Sequence, residues 1–233
     1  MPAHRHRTAA AAAVAALALL TTACGGSPAP AAAAPAAPSA AAADLVTGTF
    51  VGLAADGRTA VAIVAEAPAA GSAGRTVRAY LCDGVGGLRE WYPTDAAGNS
   101  ATIPAASSTS TLTAALTAAG ATGTATLPDG RALTFTAPPA TGPGGLFDVT
   151  LNGTTASGVS TTGKKIEIAL AGNRTTATVD GTPLKAATLA PVQGYQAAGA
   201  EPLRVIVLSE GRAVGASKNK DSGSPAFTWQ EID

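Results

Sequence analysis

The sequence predicts an all-β fold, a hairpin-rich antiparallel sandwich or barrel of about twelve short strands. Short apolar runs are separated by turn signals at spacings of roughly 8 to 14 residues. Several runs alternate apolar and polar side chains with a period of two, as residues 165–170 do (Lys-Ile-Glu-Ile-Ala-Leu). Glycine occurs at four of the turns, and each of these glycines is followed by a cation: Arg58, Arg131, Lys164 or Arg212.

The first 23 residues have the composition of a secretory signal peptide. Arg5 and Arg7 give a short positive region, and residues 8–20 are uncharged Thr, Ala, Val and Leu. This apolar run is shorter than the roughly 20 residues that a membrane-spanning helix needs. We therefore expect residues 1–23 to be removed on export.

Residues 19–26 read Leu-Leu-Thr-Thr-Ala-Cys-Gly-Gly. This stretch resembles the lipobox of bacterial lipoproteins, in which a signal peptidase cuts before a cysteine that carries diacylglycerol. The resemblance implies that Cys24 is lipidated and holds the protein on the outer face of the cytoplasmic membrane. Thr21 departs from the family, which prefers Leu there. The alternative is an ordinary signal peptide, cut at an Ala-x-Ala-like site, with Cys24 incidental.

Residues 24–43 are predicted to be a disordered linker that begins at the lipidated cysteine. Residues 27–43 are nearly all Ala and Pro, and the prolines are too closely spaced for the alanine runs to form a helix. A spacer of this composition is extended and semi-rigid, with a reach of roughly 50 Å. It would lift the following domain clear of the lipid headgroups.

Residues 44–233 are predicted to form one all-β extracytoplasmic domain, long enough to bury about 70% of its unfolded surface. The chain has 15 Lys and Arg against 15 Asp and Glu, and loss of Arg5 and Arg7 would leave it slightly acidic. A nucleic-acid partner would require a basic surface. The charge therefore argues against nucleic-acid binding.

The small number of histidines and cysteines limits the kinds of active site that the mature chain can form. Both histidines, His4 and His6, lie in the predicted signal peptide. A mature chain without histidine has no Ser-His-Asp or Cys-His nucleophile and no imidazole-ligated metal, so we expect neither a metal nor a cofactor. If Cys24 is acylated, Cys82 has no disulfide partner within the chain. We expect Cys82 to be a small buried hydrophobe, with a reactive thiol as the alternative.

Four hairpins can be read in chain order from their glycine turns, because glycine supplies the positive φ of tight turns. They begin at residues 49, 123, 157 and 205. Residues 111–119 fit either a helix or a strand, and their threonines favour a strand. Residues 226–232 could form a final edge strand. Further strand candidates are residues 77–82, 88–92, 101–103, 146–152 and 175–179.

Two stretches are near-matches to catalytic motifs. Residues 158–165 are one letter short of a phosphate-binding P-loop, which needs Ser or Thr where Lys165 stands. A strand pattern follows, so we interpret the stretch as a turn. Ser217 and Lys220 spell Ser-x-x-Lys, but the downstream Lys-Thr-Gly of penicillin-binding enzymes is missing. We interpret this second stretch as a solvated loop.

One hairpin concentrates aromatic and charged residues around a glycine-rich turn. Three interpretations apply to it. The first is a glycosidase with Asp83 and Glu90 as paired carboxylates. The second is a binding surface with aromatic platforms and Arg89 as an anchor. The third, which we favour, is a core hairpin whose charges pair with each other at the rim. The candidate binding patch comprises Arg78, Tyr80, Asp83, Arg89, Glu90, Trp91 and Tyr92.

Residues 79–84 together with 90–92 look like a module of exported β-rich proteins in high-GC Gram-positive bacteria, a resemblance that implies no activity and transfers no site. We predict a lipid-anchored extracytoplasmic protein, a non-catalytic binding or structural module of the envelope. Its expected contacts are the membrane, through the anchor, and an envelope protein or glycan. The alternative is a histidine-free, carboxylate-dependent glycan hydrolase. A solute-binding transport component is less favoured, because such proteins are larger and α/β.

Overall fold

Two antiparallel β-sheets make up the regular structure, and no helix occurs among the described residues. The computed structural model describes residues 44–72, 74–84, 88–152, 155–171, 174–185, 188–189, 203–218 and 225–230. All of these belong to the unit Ala42–Asp233. The predicted signal peptide, the linker and Cys24 lie outside the described residues.

The first sheet contains eight strands. They are β1 Gly48–Ala54, β2 Ala60–Ala65, β3 Arg75–Cys82, β4 Arg89–Ala96, β5 Ser100–Pro104, β6 Thr111–Thr117, β7 Gly120–Thr126 and β8 Ala132–Ala137. The order β4-β3-β2-β1-β8-β7-β6-β5 means that strands adjacent in sequence pair with each other and that β8 returns to β1. This is an up-and-down barrel with one seam, between β4 and β5.

The second sheet contains nine strands. They are β9 Gly145–Asn152, β10 Thr155–Ser160, β11 Lys165–Ala171, β12 Arg174–Val179, β13 Thr182–Pro183, β14 Thr188–Leu189, β15 Leu203–Val207, β16 Ala213–Lys218 and β17 Pro225–Gln230. Their order is β13-β12-β11-β10-β9-β15-β16-β17-β14, and this sheet also curls. Strand β17 lies between β16 and β14, so the expected final edge strand is an internal strand.

Among the described residues, apolar side chains form three cores. The interior of the barrel contains Phe50, Val61, Ile63, Leu81, Tyr92, Leu112 and Phe135, among others. One face of the second sheet contains Phe147, Val149, Ile166, Ile168, Val205 and Val207 with their neighbours. The third core joins the sheets and contains Val51, Ala60, Ala62, Val64, Tyr80, Cys82, Leu146, Ile206, Leu208 and Val214. Strand β2 supplies alternate residues to the first and third cores, which explains its continuous apolar sequence.

Three hairpin turns share one geometry. The amide of the residue before the turn donates to the carbonyl of the cation four residues later, in the pairs Leu127–Arg131, Ser160–Lys164 and Leu208–Arg212. The intervening glycines have φ of +82°, +81° and +90°. These are three-residue loops in which a type I turn is followed by a left-handed residue. Three of the four glycine–cation pairs thus mark one type of turn, whereas at Gly57–Arg58 the Ala54 amide donates to the Thr59 carbonyl across a longer loop.

The all-β antiparallel class predicted from the sequence is confirmed. Residues 111–117 form strand β6, whose side chains alternate between exposed and buried. The P-loop-like stretch is a turn, with the Gly163 amide donating to the Ser160 carbonyl at 2.9 Å. The Ser-x-x-Lys stretch is only half described: Ser217 and Lys218 lie in β16, so the loop interpretation is wrong for them, and Lys220 lies outside the described residues. Where the structure is described, no helix is long and apolar enough to cross a membrane.

Candidate functional site

The predicted patch lies on the hairpin β3–β4 and is divided between two faces of the sheet. Tyr80 pairs with Trp91, and Leu81 pairs with Glu90. Successive residues of a strand point to opposite faces. Tyr80 and Trp91 therefore face the second sheet, whereas Glu90 and Tyr92 share the face of Leu81 and point into the barrel. The residues that the sequence groups together do not form one surface.

The aromatic residues of the outer face connect the two sheets. Tyr80 is 4% exposed, and its ring centroid lies 6.4 Å from that of Trp91 at an interplanar angle of 56°. The Arg204 guanidinium, from β15, lies 4.0 Å from the Trp91 ring centroid, a cation–π contact. Arg204 Nε lies 3.2 Å from Asp148 Oδ1. Trp91 is thus held between its hairpin partner and an arginine of the other sheet.

Cys82 is a buried, neutral thiol. It is fully enclosed in the core between the sheets, where the Gly84 amide lies 3.4 Å from its Sγ. Burial raises the pKa of the Cys82 thiol to about 11. A thiol must be deprotonated to act as a nucleophile or a metal ligand. The prediction of a small buried hydrophobe is confirmed.

The two carboxylates of the patch hold different loops. Asp83 lies one residue beyond β3, where its Oδ2 accepts a hydrogen bond of 2.9 Å from the Leu88 amide. Glu90 Oε2 accepts one of 2.9 Å from Ser108 Oγ, which also accepts from the Ser110 amide at 3.1 Å. Glu90 lies opposite Leu81 in the ladder, not opposite Asp83. Asp83 thus joins the end of β3 to the residue before β4, and Glu90 binds the loop between β5 and β6.

The two arginines of the patch lie at different places along the hairpin. Arg78 forms an ion pair of 3.1 Å with Glu66, in which both side chains are more than a third exposed. Arg89 lies at the other end of the hairpin, opposite Cys82. Tyr92 is fully buried in the barrel, and burial raises its pKa to about 12. Tyr80 and Tyr92 are buried as expected of a core hairpin, whereas Arg78 pairs with Glu66, a residue outside the patch.

A buried arginine at the opposite end of the barrel was not recognised in the sequence. Arg75 is 1% exposed, and its guanidinium donates to the carbonyls of Val46 and Gly98 and to Asn99 Oδ1. Asn99 also accepts from the Val46 amide at 2.8 Å and donates to the Asp44 carbonyl at 3.0 Å. We call Arg75 and Asn99 the clasp. It fixes residues 44–46, the first described part of the chain.

The outer faces of both sheets carry grooves. One, of about 440 Å³, crosses β5, β6 and β7 and is lined by Ser, Thr, Ala and Gly. Two others, of about 410 and 510 Å³, lie side by side on β9–β12, and Ser157 and Glu167 line both. Within the described residues, no group of three His, Cys, Asp or Glu side chains is placed to hold a metal ion.

No family model, no curated protein and no solved structure matches this chain. The function is therefore argued from the chain's own residues.

Proposed function

We propose that the protein is a non-catalytic binding module, displayed on the outer face of the cytoplasmic membrane by lipidated Cys24. The observation that carries the proposal is that both carboxylates of the candidate patch are engaged in hydrogen bonds within the protein. The Asp83 carboxylate accepts a hydrogen bond from the Leu88 amide, and the Glu90 carboxylate accepts one from the Ser108 hydroxyl. The aromatic residues of the same hairpin pack within the barrel or between the sheets. The grooved outer faces are then the surfaces on which a partner can bind.

The competing hypothesis, a carboxylate-dependent glycan hydrolase, requires a different arrangement of the carboxylates on this hairpin. Two carboxyl groups must flank the scissile bond of the substrate, one as acid and the other as base or nucleophile. Asp83 and Glu90 are offset along the ladder, and Glu90 shares the barrel-facing side of Leu81. This placement favours a structural role for both carboxylates.

The clasp supports an anchored display. Residues 44–46 are bound to the barrel end by Asn99 and the buried guanidinium of Arg75. The predicted linker would thus join the folded body at a fixed point. Two acyl chains on Cys24 would give stable attachment, because a single chain binds membranes only marginally.

Cell fractionation of a Cys24→Ala variant tests the anchor. We expect the variant to move from the membrane fraction to the medium, or to stall in processing, because no acyl chain can be attached. Cys82→Ala is the matched control and should stay in the membrane fraction. Mass spectrometry of the mature N-terminal peptide should find diacylglycerol on Cys24 of the wild type. An unchanged membrane fraction for Cys24→Ala would contradict the anchor, and turnover of envelope glycans by the purified protein would contradict the non-catalytic assignment.

A further inference from the structure

An uncharged groove crosses the outer face of β5, β6 and β7. Its outward-facing lining consists of Ser100, Thr102, Thr113 and Thr122, which carry hydroxyl groups, and of Ala115. The volume of about 440 Å³ lies within the range of about 300 to 1,000 Å³ typical of small-ligand sites. The five side chains are exposed.

The register of the barrel creates the groove. Ser100, Ala115 and Thr122 are paired across the three strands, and Thr102 and Thr113 are paired in the next outward-facing row. Neighbouring strands lie about 4.8 Å apart, and outward residues of one strand about 6.8 Å apart. The short side chain of Ala115 therefore leaves a hollow with hydroxyl groups on several sides.

The residues that line the groove carry no charge. The chain contains no charged residue from Ala96 to Pro128, a segment that includes β5, β6 and β7. The outward residues of the next strand, β8, are also uncharged, with Thr134 and Thr136 among them. One groove of the second sheet, in contrast, is lined by charged residues, Asp148, Lys165 and Glu167. The groove of the barrel thus offers no ion pair to a ligand.

We propose that this groove binds a neutral carbohydrate chain, an inference that rests on the proposed function as a binding module. Hydroxyl groups both donate and accept hydrogen bonds, so a row of them matches the hydroxyls of a sugar, directly or through water. The Thr113 hydroxyl donates to the Thr124 carbonyl at 3.2 Å, which leaves its oxygen to accept from the ligand. The methyl groups of Ala115 and the threonines face the apolar surface of a sugar ring. The rows repeat along and across the strands, which suits a repeating oligomer.

The test uses the full chain with Cys24→Ala and two neutral probes, cellohexaose and chitohexaose, in isothermal titration calorimetry. Ala115→Leu fills the hollow, and Thr122→Val removes one hydroxyl with little change in shape. The matched control is Ala132→Leu, which makes the same substitution at an exposed position of β8 that does not line the groove. Circular dichroism of each variant checks that the fold is kept.

We expect at least one oligomer to bind. Ala115→Leu should weaken binding tenfold or more, Thr122→Val by about threefold to tenfold, and Ala132→Leu not at all. Absence of binding to both oligomers would overturn the proposal. Equal binding by Ala115→Leu and the parent, or equal weakening by Ala115→Leu and Ala132→Leu, would also overturn it.

A second arm separates this inference from the proposed function. The parent, which is the full chain with Cys24→Ala, and its Ala115→Leu variant are each sedimented with insoluble envelope glycan that has been stripped of protein. Loss of sedimentation for Ala115→Leu alone supports the groove as the site for polymeric glycan. Equal sedimentation of both overturns the groove and leaves the binding function standing. If neither the Cys24→Ala protein nor the wild type binds any envelope material, the proposed function fails as well.

Discussion

At the scale of single residues, polar side chains stabilise loops and chain ends by binding backbone groups. Asp56 accepts hydrogen bonds from the amides of Arg58 and Thr59 and from the Thr59 hydroxyl. Burial acts to raise the pKa of Asp56, but these bonds outweigh it and lower the pKa below its usual value. Asp83 and Asn99 act similarly on their own loops. Side chains used in this way are part of the architecture of the barrel.

Cys82 gives a prediction for alkaline pH. Its pKa is about 11 in the folded protein, against 9.0 for an unperturbed thiol. The neutral thiol's contribution is fully present below about pH 9, and it is lost as pH rises from 9 to 11, because the unfolded chain releases its proton first. At about 1.4 kcal/mol per pKa unit, the free energy of unfolding should fall by up to about 3 kcal/mol.

Urea titrations of the wild type and Cys82→Ala at pH 8 and pH 11 measure this contribution. Tyr80 and Tyr92 also have raised pKa values and destabilise the fold in the same direction, so both proteins should lose stability. The loss should be smaller in Cys82→Ala. Equal losses in the two proteins would show that the Cys82 thiol does not titrate as its burial requires.

At the scale of elements, the turns specify the hairpins. Gly163 has φ of +81°, and a Cβ built on it would meet nothing within 4 Å. Backbone strain is therefore the main cost of a side chain there, and Gly163→Ala should lower the free energy of unfolding by about 1 kcal/mol. Gly98→Ala is the control, because Gly98 has equal space and no positive φ. Urea denaturation should show Gly98→Ala as neutral or slightly stabilising, and equal destabilisation by both variants would contradict the turn assignment.

Local signals explain which elements could be predicted from the sequence. The glycine–cation turns and the alternation of residues 165–170 depend on neighbours in the chain, so the hairpins are readable. Strands β13 and β14, of two residues each, are too short to give a pattern and were missed. The pairing of β1 with β8 and of β9 with β15 joins distant segments, which no local pattern marks.

The candidate site was less predictable than the fold, for the same reason. The cluster of charged and aromatic residues on β3–β4 is visible in the sequence, but strand alternation divides it between two faces. Arg204 contacts Trp91 from the other sheet, and Arg75 binds Val46, 29 residues away. These contacts form only when the sheets close, and no local pattern in the sequence indicates them.

At the scale of the whole molecule, the two sheets share a core through strand β2. Val61 and Ile63 pack inside the barrel, whereas Ala60, Ala62 and Val64 pack against the second sheet. All six residues of β2 are buried. A strand that belongs to two cores couples them, because neither core can open at β2 without exposing part of the other. The barrel and the second sheet should therefore behave as one cooperative body.

The clasp determines where the folded body begins. Asn99 makes three side-chain hydrogen bonds, with the Val46 amide, the Asp44 carbonyl and the Arg75 guanidinium. Asn99→Ala should lower the free energy of unfolding by about 1 to 3 kcal/mol, because it removes these bonds and leaves buried Arg75 short of an acceptor. Released from the barrel, residues 44–46 should also be cut faster by protease, as mapped by limited proteolysis with mass spectrometry. Thr76→Ala is the control, since it removes only the exposed hydrogen bond of 3.1 Å to Asp95. Equal cleavage near residue 45 in both variants would show that the clasp does not hold the start of the domain.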